Sequence, residues 1–147
     1  MIPAAQPSIG DEEREAADRV LRSGMLAQGP EVKAFEDEFS ELVSGAHCIA
    51  VNSGTSALHM AFIAAGIRQG DEVIVPSFSF AATANAVRLA GATPVFADVE
   101  QDFFNLNPSA VEAAITPRTR AIMPVHLYGH PAAMTELMAI CQRHNLL

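Results

Sequence analysis

From His47 onward the chain alternates short apolar runs with stretches rich in small residues, and this alternation restricts the possible folds more than any other feature. Nearly continuous apolar character is typical of strands that are covered on both faces. The runs are HCIAV at 47–51, DEVIVP at 71–76, TPVFADV at 93–99 and RAIMPV at 120–125, with helix candidates at 55–65, 81–90, 109–115 and 133–145. The pattern predicts an α/β fold with a mostly parallel sheet and flanking helices.

The first 45 residues have a different pattern, because two amphipathic helices are predicted before the sheet begins. The first helix is predicted from Asp11 to Ser23, with acidic residues in its first turn and a glycine directly after it. The second is predicted to open at Pro30 and to end before Gly45. We therefore predict a helical arm at 1–45 and an α/β domain at 46–147.

Charge and cysteine content restrict the partners and the compartment. The chain has 17 acidic and 9 basic side chains, a net charge of -8, which argues against a nucleic-acid or membrane partner held by bulk electrostatics. Cys48 and Cys141 have no CxxC motif or Cys/His cluster around them, and we interpret both as buried, reduced thiols. The N-terminus lacks the apolar core of a secretory signal, and no run approaches 18 apolar residues. These features favour a cytoplasmic location.

The stretch VNSGTSALHMAF leaves a predicted strand and enters a helix through small and hydroxylated residues. Small residues let backbone amides approach an oxyanion, and the helix dipole favours negative charge at this end. Ser53, Gly54 and Thr55 are therefore candidates for a phosphate site. The alternative is purely structural, with Ser53 or Thr55 capping the helix and Gly54 making the turn. The loop matches neither a Walker A motif nor the GxGxxG fingerprint of dinucleotide-binding folds.

The stretch VPSFSFAATANAV follows the next predicted strand and places Phe78 and Phe80 at its carboxyl end. A flat aromatic side chain there can stack on a planar heteroaromatic ring, although aromatic residues are also common in protein cores. Ligands of parallel sheets gather at the carboxyl ends of the strands. The two stretches together predict a site for a phosphorylated pyridine.

Other polar groups have simpler interpretations. Asp98, Glu100 and Asp102 lack the glycine and bidentate glutamate of a calcium loop, so we interpret them as exposed residues that follow a strand. His126 and His130 have no third ligand within reach in the sequence. We therefore predict no metal site.

Five blocks of the sequence, in order, resemble the DegT/DnrJ/StrS family of sugar aminotransferases, which are fold-type I enzymes dependent on pyridoxal 5'-phosphate (PLP). The resemblance implies that Gly54 and Thr55, with Ser53 beside them, bind the PLP phosphate and that Phe80 stacks on the pyridine ring. The blocks are SGMLAQGPEVKAFEDEF, VNSGTSALHMAF, GDEVIVPSFSFAATANAV, GATPVFADVE and MPVHLYGHP.

The same resemblance suggests the reaction and the partners. It implies transfer of an amino group from a donor such as glutamate to a nucleotide-linked keto-sugar, in amino-sugar biosynthesis. The loop SGMLAQGP lies near the sugar site in this family, so Met25 and Leu26 are candidate substrate contacts. Family members complete their active sites across a homodimer interface, which we also expect for the full-length protein.

The catalytic half of the family's active site has no counterpart in these residues. Transamination with PLP needs a lysine bound to the cofactor and an acid that keeps the pyridine nitrogen protonated. The only lysine here, Lys33, matches the variable QGPEVKAFE stretch, and the family's pyridine-binding aspartate follows an RHNL-like segment such as the one at 143–146. We therefore assign no catalytic residue and predict that the chain, resembling an N-terminal part with an incomplete large domain, is inactive alone. The alternatives are another fold-type I PLP activity, such as an amino-acid lyase or desulfurase, and a non-catalytic remnant.

Overall fold

A computed structural model describes residues 6–147 of the chain. The chain divides after Ala50 into two compact units, the second of which is Val51–Leu147. The boundary predicted between 45 and 46 concerns domains of a larger fold and stays a prediction.

The first unit contains two helices, α1 at Asp11–Ser23 and α2 at Pro30–Leu42. The Glu13 carboxylate accepts a hydrogen bond of 2.6 Å from the Gly10 amide, which satisfies a donor that would otherwise be orphaned at the start of α1. This bond holds the pKa of Glu13 below its usual value. Gly24 ends the helix in the left-handed conformation (φ 69°), which a residue without Cβ adopts at little cost.

The second unit alternates helices and strands, as the apolar runs predict. Its central strand, β1, has all five residues buried, which is the result expected for a run that is apolar on both faces. The elements are α3 (Gly54–Ala64), β1 (Glu72–Pro76), α4 (Ala82–Leu89), β2 (Thr93–Ala97), α5 (Pro108–Ala114), β3 (Thr119–Ile122), a 3₁₀ turn (Leu127–Gly129) and α6 (Met134–His144).

The three strands form a parallel sheet in the order β2-β1-β3, so β1 is paired on both sides. Ile74 of β1 lies in register with Val95 of β2 and Ile122 of β3. The predicted α/β fold with a parallel sheet is confirmed. β2 departs from the expectation that every strand is buried on both faces, because it is an edge strand of the described sheet and Phe96 on it is 60% exposed.

Helices cover both faces of the sheet and form two separate cores. Successive side chains of a strand point to opposite faces, so Ile74 and its neighbours Val73 and Val75 belong to different cores. The Ile74 core includes Val111 of α5 and Leu137 and Ile140 of α6, and the other core includes Phe62 of α3 and Ala86 and Val87 of α4.

The strand predicted at 47–51 is wrong, because the structure has irregular backbone there. Within residues 6–147 no strand pairs with this segment, and a strand exists only through its hydrogen-bonded partner. The Ala50 amide instead donates to the Glu36 carboxylate of α2 at 2.8 Å. Ile49 is 76% exposed, so the apolar run is not part of a core in this structure.

The cysteine prediction holds for one residue only. Cys141 is a buried free thiol, and burial raises its pKa above the usual value. Cys48 is also a free thiol but is only half-buried, because it lies in the same irregular segment that lacks a strand partner. In the described part of the chain, no helix has the length and apolar character needed to cross a membrane.

Candidate functional site

The N-terminus of α3 is capped by Ser53, whose hydroxyl accepts a hydrogen bond of 3.1 Å from the Ser56 amide. The same hydroxyl lies 3.0 Å from the Ser56 hydroxyl, which in turn donates to the Asn52 side chain at 2.7 Å. These bonds organise the first turn of the helix. The structural role considered for Ser53 is therefore present, and its hydroxyl is already engaged within the protein.

Two backbone amides at this helix end have no acceptor. Among residues 6–147, no oxygen accepts a hydrogen bond from the amide of Gly54 or Thr55, and the Thr55 hydroxyl also makes none. A Cβ added to Gly54 would meet no atom within 4 Å, so the space beside its Cα is open. Free amides, a free hydroxyl and the positive end of a helix dipole together can bind an oxyanion.

The charges around this helix end also suit an anion. From Asn52 to Gly70 the sequence contains no acidic residue, although the chain as a whole has a net charge of -8. Ten of the 17 acidic residues lie instead between Asp11 and Glu41, on α1, α2 and the segments beside them. The sequence around this helix end is therefore compatible with a local anion site in an acidic protein.

The loop after β1, residues 77–81, presents Phe80 to solvent and is called the aromatic loop below. The Phe80 side chain is 80% exposed, which leaves its ring free to stack on a planar ligand. The Phe80 carbonyl accepts the Thr83 amide at 3.0 Å, and the hydroxyls of Ser79 and Thr83 lie 2.9 Å apart. The loop is thus fixed to the start of α4 while the ring of Phe80 stays uncovered.

The helix that begins at Gly54 and the helix that follows the aromatic loop pack against each other. α3 and α4 are in contact, and both contribute to the core on the same face of the sheet. The sequence pattern predicts that the two loops follow adjacent strands. The structure instead relates them through these two helices, because the first of those strands is not formed.

Met25 and Leu26 lie in the first unit, in the connection between α1 and α2. Both side chains are exposed, and the Met25 amide donates to the Ser23 hydroxyl at 3.1 Å. They line a pocket of about 150 Å³ together with residues of both helices, among them Val20 and Val32. A role for them in substrate binding stays a prediction.

Lys33 is on α2, where its ammonium group pairs with the Asp37 carboxylate one helical turn away. Both side chains are more than half exposed, as expected for a surface pair on a helix. This position agrees with the interpretation of Lys33 as a solvated surface cation.

The loops after β2 and β3 contain a hydrogen-bond network that the sequence analysis missed. Glu100 is half-buried, and its carboxylate accepts bonds from the amides of Phe103, Asp102 and Asn105. These bonds, with the Phe103 amide contributing most, hold the pKa of Glu100 below its usual value. The interpretation of Glu100 as a simple exposed residue is therefore wrong, because the backbone of the following turn closes around its carboxylate.

His126 belongs to the same network. Its Nδ1 accepts a hydrogen bond of 3.0 Å from the Ala132 amide, so the bond ties both ends of the loop after β3 together. In the described residues, no group of three or more His, Cys, Asp or Glu side chains converges on a common point that could hold a metal ion.

Comparison with known proteins gives one consistent family. The model of the DegT/DnrJ/EryC1/StrS aminotransferase family matches residues 7–147. The chain is 50% identical over 145 residues to the erythromycin biosynthesis sensory transduction protein EryC1 of Saccharopolyspora erythraea, covering 99% of this chain and 40% of EryC1. It is 46% identical over 145 residues to the spore coat polysaccharide biosynthesis protein SpsC of Bacillus subtilis, covering 99% of this chain and 37% of SpsC.

A solved structure shows the same likeness in three dimensions. The chain superposes on the PLP form of the putative sugar aminotransferase Spr1654 from Streptococcus pneumoniae with a TM-score of 0.89 and 32% identity. The match covers 97% of this chain and 36% of that protein. The chain thus spans about two fifths of the length of the curated relatives it matches.

Proposed function

The chain belongs to the DegT/DnrJ/EryC1/StrS aminotransferase family, and on that premise we propose that it forms the part of a PLP-dependent aminotransferase that holds the cofactor's phosphate and pyridine ring. The start of α3 would bind the phosphate, and Phe80 would stack on the ring. The observation behind this proposal is the pair of acceptor-free amides at Gly54 and Thr55, with open space beside the Gly54 Cα.

The phosphate assignment gives different tasks to neighbouring residues. The amides of Gly54 and Thr55 and the Thr55 hydroxyl would donate to phosphate oxygens, and such bonds to charged groups are the strong ones. Ser53 would act on the helix, because its hydroxyl already accepts the Ser56 amide. A glycine at position 54 keeps the space beside the amides clear.

The ring assignment depends on the aromatic loop. When bound, PLP supplies an electron sink for the bonds that change during amino transfer. The contribution of this chain would be to orient the ring, since the exposed face of Phe80 can pack on a planar heteroaromatic group at a fixed angle. Orientation of a reacting group is itself a source of rate acceleration.

The substrates are proposed at the level that the resemblance supports. We propose nucleotide-linked keto-sugars as acceptors and an amino acid such as glutamate as donor, on the family resemblance. Two similar proteins carry names that concern sugars, a spore coat polysaccharide biosynthesis protein and a putative sugar aminotransferase. Met25 and Leu26 are the proposed substrate contacts, and a homodimer is the proposed assembly. Another fold-type I PLP activity stays the alternative.

The expectation that this chain alone does not transaminate also stays a prediction. Its basis is that Lys33 is the only lysine in the sequence and is paired with Asp37 on the surface of α2. A remnant that binds ligand without turnover is the corresponding alternative.

A binding experiment tests the proposal. The chain is titrated with pyridoxamine 5'-phosphate, which has no aldehyde and therefore does not react with Lys33, and separately with pyridoxamine. We expect saturable binding only of the phosphorylated compound. Phe80→Ala should weaken binding by about 2- to 10-fold, the range for one aromatic contact.

Phe96→Ala is the matched control, because Phe96 is also an exposed phenylalanine of the second unit but lies within edge strand β2. It should leave the affinity unchanged. Equal affinities for the two compounds would contradict the proposal that the start of α3 binds the phosphate. Equal effects of Phe80→Ala and Phe96→Ala would contradict the proposal that Phe80 stacks on the ring.

A further inference from the structure

Asn105 is buried at the carboxyl edge of the sheet, and both the amide nitrogen and the carbonyl oxygen of its side chain form hydrogen bonds. It is 4% exposed. Its Nδ2 donates to the carbonyls of His130 and Pro131 at 3.1 and 3.2 Å, and its Oδ1 accepts the Leu127 amide at 3.1 Å. Asn105 lies in the loop after β2, and all three partners lie in the loop after β3. One side chain therefore joins two loops that are far apart in the sequence.

The loop after β2, residues 98–107, is itself closed. Its ends are joined by the antiparallel bridge between Val99 and Leu106, and the Glu100 amide donates to the Asn105 carbonyl at 2.9 Å. The Asn105 amide donates to the Glu100 carboxylate at 3.2 Å. Hydrogen bonds thus fix the backbone of Asn105 through both its carbonyl and its amide. The bonds to the loop after β3 fix the orientation of its side chain.

The residue before it connects this network to the aromatic loop. Phe104 has φ 59°, a conformation that bulky residues rarely adopt and that marks local strain. Its ring lies 5.8 Å from the ring of Phe78, two positions before Phe80. Because β1 is the central strand, the aromatic loop leaves the sheet between the two loops that Asn105 joins.

We propose that Asn105 is a positioning residue for the cofactor site: it locks the loops after β2 and β3 together and, through the Phe104–Phe78 contact, sets the position of the aromatic loop. This inference rests on the proposed function for its relevance to PLP, but the locking of the loops is a property of the chain itself. Asn105 touches no reacting group, so it acts only through its neighbours.

The substitution Asn105→Asp tests this role with almost no change in shape. At pH 8 a carboxylate would face the carbonyls of His130 and Pro131 without a proton to donate, so the loop after β3 should open. At pH 5 a buried aspartate in this position regains a proton and can donate to one carbonyl, because burial and nearby carbonyl oxygens both disfavour its charged form. We expect acid to rescue the variant, and a residue that only fills space would show no such rescue.

The two loops also carry other titratable groups, and the wild-type chain controls for them: Asp98, Glu100, Asp102, His126, Tyr128 and His130. Glu100 accepts three amide hydrogen bonds that lower its pKa, so it stays ionised from pH 5 to 8. His126 and His130 are the same in all variants, so any effect of pH on them appears equally in the wild type. Asn107→Asp is the matched control, since it adds the same charge two residues away, where the Asn107 side chain caps α5 and aspartate caps equally well.

The readout is amide hydrogen exchange of the peptide covering 126–132, corrected for the intrinsic effect of pH. For Asn105→Asp at pH 8 we expect exchange roughly 10-fold or more faster than in the wild type, and near-wild-type exchange at pH 5. Asn107→Asp should match the wild type at both values. Asn105→Ala should exchange fast at both, which keeps the test decisive if the aspartate variant does not fold at pH 8.

A second readout separates this inference from the proposed function. Affinity for pyridoxamine 5'-phosphate should fall in Asn105→Asp at pH 8 and recover at pH 5, while affinity for inorganic phosphate stays unchanged because the start of α3 is not part of the network. Wild-type exchange in Asn105→Asp and Asn105→Ala overturns the inference. Locked loops in a wild-type chain that binds no pyridoxamine 5'-phosphate would instead count against the proposed function alone.

Discussion

At the scale of single residues, two neighbouring hydroxyls have different tasks. Ser53 is engaged with Ser56 and organises the helix end, whereas the Thr55 hydroxyl has no partner in the described residues. Loss of a serine N-cap costs about 0.5–2 kcal/mol of stability. Loss of a free hydroxyl costs the fold little, so substitutions at these two positions separate folding from binding.

Thr55→Val should therefore weaken binding of pyridoxamine 5'-phosphate while the fold stays intact. A hydrogen bond to a charged group contributes roughly 1.5–3 kcal/mol, so the dissociation constant should rise about 10- to 150-fold. Fluorescence titration gives the constant, and circular dichroism reports the fold. Thr135→Val, the same change at an exposed position of α6, should have no effect. An unchanged constant in Thr55→Val would exclude its hydroxyl from the site.

At the scale of elements, Glu72 joins the start of β1 to the segment before β3. Its side chain is 7% exposed, accepts a hydrogen bond from the Thr116 hydroxyl, and pairs with Arg118 through Nε at 2.9 Å. The Glu72 amide also donates to the Arg118 carbonyl at 2.9 Å. The pKa of Glu72 lies below its usual value of 4.5, mainly because of the hydrogen bond from Thr116. Burial raises this pKa, but the interaction with Arg118 lowers it further.

The lowered pKa of Glu72 predicts the direction of a pH effect on stability. A carboxyl group whose pKa is lower in the folded than in the unfolded state stabilises the fold at pH values above the unfolded-state pKa. That contribution is lost as the pH falls through the pKa of the folded state. Below about pH 4.5 the wild type should lose stability faster than Glu72→Gln. At pH 7 the variant should be less stable by about 1–3 kcal/mol, because a bond to a charged group is lost.

Thermal unfolding followed by circular dichroism from pH 7 to pH 3 measures both effects. Glu136→Gln, a change at an exposed glutamate of α6, serves as the control and should follow the wild type. Parallel pH profiles for wild type and Glu72→Gln would show that this carboxylate makes no net contribution in the acid range.

At the scale of the whole molecule, the sheet has edges and exposed apolar residues that favour association. Strand β2 pairs only with β1 among the described strands, and Phe96 on it is exposed. Unpaired strand edges with apolar side chains are templates for pairing with another chain. The net charge opposes association, but most acidic residues lie between Asp11 and Glu41 and not on this strand.

We therefore expect the 147-residue chain to self-associate at neutral pH in a concentration-dependent way, as measured by light scattering. Phe96→Lys should reduce the association, because a charge on an edge strand disfavours edge-to-edge pairing. Phe35→Lys, a change at an exposed phenylalanine of α2, is the control. A clean monomer with cooperative unfolding would contradict the prediction and would favour a self-sufficient domain.

The identity and approximate limits of most elements followed from the sequence because their signals are local. α1 begins with acidic residues and ends before Gly24, and α2 begins at Pro30. The apolar run that contains residues 72–76 forms the central strand. The helix start at Gly54 was also predictable, since it needs only neighbouring residues. The exposed position of Phe80 directly after a strand was predictable for the same reason, and the binding roles of these residues stay predictions.

Tertiary structure decided the features that depend on distant partners. The run at 47–51 is not a strand, because pairing requires a second chain segment that no local pattern can supply. Phe96 is exposed because the position of β2 at an edge of the described sheet is a property of strand order. Asn105 forms its side-chain hydrogen bonds with partners 22 to 26 positions away. Hydrogen bonds over such separations exist only once the sheet has brought the ends of its strands together.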